Sequence, residues 1–313
     1  MSKNGILAYR SGGDTSKVQL TWFGRDGQKV GSVGEPGSYA NFSLSRDGKR
    51  VALDRTDQET IQRDIWTMDV ERGSPSRLTF NPADESSPRW SADGRRVAFN
   101  SNREGITNCY QKAVDGSADE TPVRKSDGTF RACNDVSPDG RVLLFHSRDA
   151  ATGFDLWSAS LSSDDAPTPL VKTAYHEGQA RFSPDGSWVA YASEESGRLE
   201  IYVRRFTGSG EKHQISTAGG WWPRWRHDGR ELFYMAGGQK VMAATIETEP
   251  AFSAGVPRAL FQVPDSLPAG GGIGIVDPFD VSPDGQRFLL SPSTLNAAEP
   301  VSLIVNWTAL LKK

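Results

Sequence analysis

The chain has 313 residues, of which 36 are basic and 39 acidic, for a net charge of −3 with both signs interspersed; this excludes the basic stripe or tail of a nucleic-acid binder. Thirty-two glycines, eighteen prolines and nine tryptophans are scattered along the whole length, a composition that suits many short strands joined by tight turns and points to an all-β fold. No apolar run reaches the roughly 18 to 20 residues of a membrane-spanning helix, and Met1-Ser2-Lys3-Asn4-Gly5 lacks the apolar stretch of a signal peptide, so a soluble chain with no export signal and no membrane insertion is expected.

Asp-Gly dipeptides recur at Asp47-Gly48, Asp93-Gly94, Asp139-Gly140, Asp185-Gly186, Asp228-Gly229 and Asp284-Gly285, spaced by 46, 46, 46, 43 and 56 residues. A fixed period of this length is the mark of a repeat architecture. A degenerate seventh copy, Ser2-Lys3-Asn4-Gly5-Ile6-Leu7-Ala8-Tyr9, opens the chain almost inside its own turn. Each full copy begins with a short strand, such as Pro88-Arg89-Trp90, Ala180-Arg181-Phe182 or Pro223-Arg224-Trp225, that runs into the turn. In Ser137-Pro138-Asp139-Gly140, Ser183-Pro184-Asp185-Gly186 and Ser282-Pro283-Asp284-Gly285 the proline presets φ, the aspartate accepts local backbone N–H groups and the glycine takes the positive φ that closes the hairpin.

A second strand follows in every copy, as in Arg96-Val97-Ala98-Phe99, Trp188-Val189-Ala190-Tyr191 and Glu231-Leu232-Phe233-Tyr234. Its apolar character on both faces implies burial between neighbouring sheets. A third strand opens on an acid or amide with an aromatic two positions later (Asp64-Ile65-Trp66, Asn108-Cys109-Tyr110, Asp155-Leu156-Trp157, Glu200-Ile201-Tyr202), and a weaker fourth follows at Ser76-Arg77-Leu78-Thr79 or His213-Gln214-Ile215-Ser216. Four antiparallel strands in 40 to 50 residues make one blade of a β-propeller.

The last copy supplies strands at Phe279 to Ser282, Arg287 to Ser291 and Val301 to Trp307 and lacks a fourth. Spare strands at Ile6 to Arg10, Val18 to Phe23 and Lys29 to Val33 could join that blade and remove its open edges. Six blades closed by an N-terminal strand are expected, with seven as the alternative. A single propeller domain over 1–313 follows, with a truncated first repeat and closing strands in 1–37 and six repeats in 38–313. Cys109 and Cys133, the only cysteines, read as small strand residues, with a disulfide as the alternative.

The S-x-D-G turn followed by an apolar strand, D-[IL]-[WY] and a closing R-L-T resembles the WD-like repeat of the TolB family of β-propellers over nearly the whole chain. Gln19-Leu20-Thr21-Trp22-Phe23-Gly24-Arg25-Asp26-Gly27, Val33-Gly34-Glu35-Pro36-Gly37, Asp64-Ile65-Trp66 and Arg77-Leu78-Thr79-Phe80 also resemble the propeller region of many bacterial serine/threonine kinases. No kinase motif accompanies them. The resemblance implies a periplasmic or extracytoplasmic propeller that docks partner proteins at the mouth of its central channel.

Signatures of chemistry are sparse. No G-x-S-x-G, H-E-x-x-H or calcium-loop motif occurs, and His146, His176, His213 and His227 fall in different repeats without ligand spacing. No metal or cofactor is expected. Two residues before each turn's first residue stand Ser43, Arg89, Asp135, Arg181, Arg224 and Asp280, one per repeat. Facing the channel they would form a ring in which Arg89, Asp135 and Arg181 alternate in sign and Arg224 couples to Asp280. Arg181 and Arg224, sharing fewer acids, would then present positive charge to an anionic ligand or a partner's carboxylate.

The loops entering that strand offer Glu85, Arg131, His176, Glu177, Trp221 and Trp222, of which one tryptophan should face solvent. The leading expectation is a noncatalytic, monomeric protein- or peptide-binding scaffold. A ligand-sensing domain of a receptor kinase is the second reading. A carbohydrate-acting enzyme is the third, and it needs two carboxylates such as Glu85 and Glu177 within roughly 5 to 9.5 Å of each other.

Overall fold

The structure is a computed structural model that describes residues 6–9, 17–208, 210–263, 267, 277–293 and 302–305. Six four-stranded antiparallel sheets are arranged as the blades of a propeller, and no helix occurs among the described residues. Blade 1 comprises Tyr39–Leu44, Arg50–Thr56, Arg63–Asp69 and Pro75–Arg77; blade 2 comprises Glu85–Trp90, Arg96–Ser101, Asn108–Ala113 and Thr121–Pro122. Blade 3 is built from Arg131–Val136, Val142–Asp149, Gly153–Ser160 and Thr168–Val171, and blade 4 from Glu177–Phe182, Trp188–Ser193, Glu200–Arg205 and Lys212–Gln214. Blade 5 contains Trp221–Trp225, Glu231–Ala236, Lys240–Glu247 and Arg258–Gln262, with Ser253–Ala254 added on the third strand.

Blade 6 joins the two ends of the sequence. Phe279–Val281 and Arg287–Leu290 supply its inner strands, and Val18–Gly24 and Lys29–Gly37 its outer ones, with Trp22 opposite Leu289. The N-terminal closure therefore uses a whole hairpin where one strand sufficed in the sequence reading. The C-terminal strand expected to complete this blade instead pairs apart from it, Ser302–Val305 lying antiparallel to Ile6–Tyr9. The turn of the degenerate seventh copy, residues 2–5, lies outside the described residues.

Side-chain alternation along the second strands explains the packing. Every residue of Trp188–Ser193 is buried: Trp188, Ala190 and Ala192 enter the core shared with blade 5, while Val189 and Tyr191 enter the core shared with blade 3. The same logic yields six apolar clusters, one at each junction between neighbouring blades. At the blade 2–blade 3 junction Cys109 and Cys133 are joined as a disulfide, with Cα atoms 5.7 Å apart, in place of the two separate thiols expected. Each S-x-D-G turn is pinned by the serine hydroxyl donating to the aspartate, as in Ser45 to Asp47 and Ser91 to Asp93, both 2.6 Å. The aspartate in turn accepts the amide two residues on, and Gly140 takes φ 71° as the turn demands.

Candidate functional site: the central channel

The first strand of each blade lines the channel, and the turn that follows it sets which end is which. The S-x-D-G turns surround one mouth, the turn face; the loops from fourth to first strands surround the other, the loop face. Ser43, Arg89, Asp135, Arg181, Arg224 and Asp280 all border one cavity of about 200 Å³ that opens at the turn face.

The ion pairing in this ring differs from simple alternation because of Asp277, which sequence reasoning missed. Asp277 Oδ2 accepts Arg89 Nη2 and Arg181 Nη2, both at 2.7 Å, and its Oδ1 accepts Arg224 Nη2. Arg224 also donates through Nε to Asp280 at 3.2 Å, the couple expected from the sequence. Asp135 makes no ion pair with its arginine neighbours at hydrogen-bond distance and accepts the Phe182 amide of the next blade at 2.9 Å. Asp280 does the same for the Leu44 amide at 2.8 Å. Arg181 and Arg224 are thus not short of acids, since Asp277 pairs with all three buried arginines, Asp280 pairs with Arg224, and Asp135 acts on Arg181 through space.

Electrostatics follow from that arrangement. Burial opposes ionisation of Asp277, but Arg224, Arg89 and Arg181 together hold its carboxyl at about 2. Burial, with Arg89 and Arg224 as like-charged neighbours, lowers Arg181 to about 9. Burial also raises Asp135 against the pull of Arg181. Around the hub the free guanidinium N–H groups are absorbed by backbone: Arg89 Nε donates to Asn134 O at 2.8 Å, and Arg181 Nη1 to Ala180 O at 2.8 Å.

Toward the loop face the channel narrows to a cavity of about 40 Å³. A bulge two residues before the ring position forces positive φ on Ser87 (55°), Gln179 (58°) and Trp222 (57°). The amide turned inward there is accepted by a side chain of an adjacent blade: Ser87 by Asp54 (3.2 Å), Cys133 by Asn100 (2.7 Å) and Trp222 by Gln179 (2.7 Å); in blade 6, just ahead of the first strand, the Asp277 amide is accepted by Asn41 (2.9 Å). Asn134 likewise receives the Ala180 amide at 2.8 Å. This belt of polar groups stitches the blades together and fills the channel.

The loop-face residues do not converge. Glu85 opens the first strand of blade 2, is fully buried, and meets Arg103; burial first, then Glu120, pushes its carboxyl up to about 7. Glu177 holds the same position in blade 4 and accepts Thr173 Oγ1, and burial with Asp155 likewise raises it to about 7. Neither borders the two channel cavities, and they share no hydrogen-bond partner. Arg131 pairs with Asp127 at 2.5 Å, whereas exposed His176 accepts the Phe154 amide through Nδ1 at 3.1 Å. Of the two tryptophans, Trp222 is buried in the blade 5–blade 6 core and Trp221 is half-buried against it, the rings meeting edge to face at 6.2 Å.

At the turn face the cavity is partly spanned by Arg46 of blade 1, whose Nη2 donates to Pro184 O of blade 4 at 3.2 Å. Arg46, Ser183, Pro184, Trp225 and His227 are shared with a groove of about 710 Å³ that runs outward along blade 5 as far as Glu249.

A family model described as the TolB beta propeller domain matches residues 14–178, just over half of the chain. The chain belongs to the TolB beta propeller domain family. Among curated relatives, the Tol-Pal system protein TolB of Wolinella succinogenes is 29% identical over 172 residues, covering 54% of this chain and 40% of the relative. Tricorn protease homolog 1 of Streptomyces coelicolor is 25% identical over 173 residues, 54% of this chain and 15% of that protein. This TolB-type chain therefore spans less than half the length of those relatives. Among solved structures, a putative TolB from Agrobacterium tumefaciens superimposes with a TM-score of 0.69 at 20% identity, covering 90% of this chain and 99% of the other. A puromycin-hydrolyzing peptidase of Mycobacterium tuberculosis superimposes with a TM-score of 0.57 at 17% identity, covering 87% and 46%. Both likenesses concern the fold.

Proposed function

We propose that this chain is a noncatalytic protein- or peptide-binding propeller that receives its partner at the turn-face mouth of the central channel. The observation that carries this reading is the asymmetry of the channel. Within the channel an open cavity of about 200 Å³ at the turn face continues into a groove of about 710 Å³, whereas the loop-face end of the channel holds about 40 Å³ and the pocket of about 560 Å³ beside Arg55, Gln62 and Arg77 on that side lies out on the rim of blade 1. An extended segment fits such a groove, with Arg46 and His227 at the junction as polar contacts. Relatives called Tol-Pal system protein TolB support a protein partner, and the peptidase likeness covers less than half of that enzyme. The Cys109–Cys133 disulfide supports an oxidising, extracytoplasmic setting.

The test is site-specific photo-crosslinking in extracts of the source cell, with the photoreactive residue at Arg46 in one variant and at exposed Tyr175 on the loop face in another. Adducts at position 46 and none at 175 are the expected result. Adducts confined to 175, or absent from both, would reject the turn-face mouth as the docking site.

A further inference from the structure

Two blade junctions carry the same pair of carboxylates in different company. At the blade 1–blade 2 junction, Asp64 is the second residue of a third strand and Glu85 opens the next first strand, and each is met by an arginine. Arg77 bonds Asp64 at 2.8 Å, and Arg103 bonds Glu85 and also Glu120 at 2.6 Å. One oxygen of each acid lacks a hydrogen bond, yet its charge is answered.

At the blade 3–blade 4 junction the equivalent acids are Asp155 and Glu177, both fully buried. The arginines are gone. Pro169 stands opposite Trp157 where Arg77 stands opposite Trp66, and Glu195 follows Ser193 where Arg103 follows Ser101. Glu195 itself is held by Lys212 at 2.8 Å. Asp155 and Glu177 receive only hydroxyls, Asp155 from Thr152 at 2.6 Å and Glu177 from Thr173 and Ser193. Asp155 Oδ1 and Glu177 Oε2 are buried with no hydrogen-bond partner, and so is the hydroxyl of Tyr191, which lies within electrostatic reach of Glu177. Lys172 acts on Asp155 through space, but its ammonium sits at the surface bonded to Asp149 at 2.8 Å.

Two neighbouring carboxylates buried with open lone pairs and no bonded cation are costly, because each has lost its water without gaining a counter-charge. Among the described residues no three His, Cys, Asp or Glu side chains converge as a metal set, so any ion held by the two carboxylates must complete its shell with other oxygens. What the junction offers is oxygen: two carboxylates and the hydroxyls of Thr152, Thr173 and Ser193, whose residue pairs with Glu177 across the sheet. Hard cations with flexible coordination, calcium above all, take such a set. We propose that the blade 3–blade 4 junction binds one calcium ion through Asp155 and Glu177, with the surrounding threonine and serine hydroxyls completing its protein ligands. The ion would stand in for the two arginines of the blade 1–blade 2 junction.

The experiment is calorimetric titration of the whole chain with calcium chloride after chelator treatment, alongside thermal unfolding with and without calcium. One calcium per chain and a rise in Tm are expected. Glu177→Gln and Asp155→Asn should each weaken binding at least tenfold, while Glu85→Gln, at the same position of blade 2, should leave it unchanged. Should the acid variants not fold, Thr173→Val tests the same ligands, with a severalfold loss expected. No heat and no Tm change at millimolar calcium in the wild-type chain, or undiminished binding in Glu177→Gln or Thr173→Val, would overturn the assignment.

Discussion

The two halves of the channel are lined by the same six strands and yet end differently. On the turn side the strands carry long charged side chains that lean on one another and leave room between them. On the loop side a repeated bulge turns amides inward, and Asn41, Asn100, Asn134 and Gln179 consume the space by bonding them. Asp277 is the boundary. The difference teaches that, at one blade number, the two ends of this channel differ in width according to which backbone groups face the axis, since a buried amide must find an acceptor.

The sharpest way to break this contrast is Asp277→Ala, which leaves Arg89, Arg181 and Arg224 buried around a missing carboxylate. A loss of about 3–5 kcal/mol is expected in chemical denaturation; a loss below about 1 kcal/mol would mean that the hub does not hold the two halves apart. Trp222→Ala removes a side chain packed among Phe233, Phe279 and Phe288 and should cost about 3–5 kcal/mol. Trp221→Ala, half-exposed beside it, should cost about 1 kcal/mol or less. Equal losses would erase the distinction between the two tryptophans.

A smaller effect concerns pH at the loop side. Glu85 is raised to about 7 in the folded chain against an ordinary value of 4.5, so between those values the folded state holds a proton that the unfolded state has released. Stability should therefore fall as pH rises from about 5 to 7, and Glu85→Gln should reduce that slope by about half, since Glu177 is raised to about 7 as well and supplies the remainder. An unchanged slope in denaturation midpoints across this range would show that the glutamate is ionised throughout. Smallest of all, Arg46→Ala on the open turn side should change stability by less than about 0.5 kcal/mol, while removing the polar contact that spans the mouth.

The four-stranded blade, the role of each S-P-D-G turn and the equivalence of Arg89, Arg181 and Arg224 in successive repeats were legible in the sequence because each is local and repeated, whereas the choice of six blades over seven and the facing of that ring position stayed open. A turn residue answers to its neighbours, and a ring position to its register in a strand. Asp277 was not legible. It lies in the stretch that lengthens the last spacing to 56 residues, outside the repeating pattern, and its three partners come from blades 2, 4 and 5. The bulge was hidden for a related reason: Ser87, Gln179 and Trp222 share a positive φ but no side-chain chemistry. Trp222 shows the cost of reading exposure from a doublet, because the bulge lets both tryptophans turn toward the same core. The N-terminal hairpin was visible as spare strands, though not its choice of both outer positions in blade 6.

That blade also sets a clock. Trp22 finds its neighbour Leu289 only after the roughly 250 residues between the hairpin and that strand have been made, so at roughly 5–20 residues per second the hairpin of Val18–Gly24 and Lys29–Gly37 waits on the order of 15 to 50 s during synthesis for the strand it must join. Until then its edges are open to any passing strand, and the exposed charges of Lys29 and Glu35 and the proline at Pro36 in Lys29–Gly37 are the groups that discourage the unfinished circle from closing on a stranger.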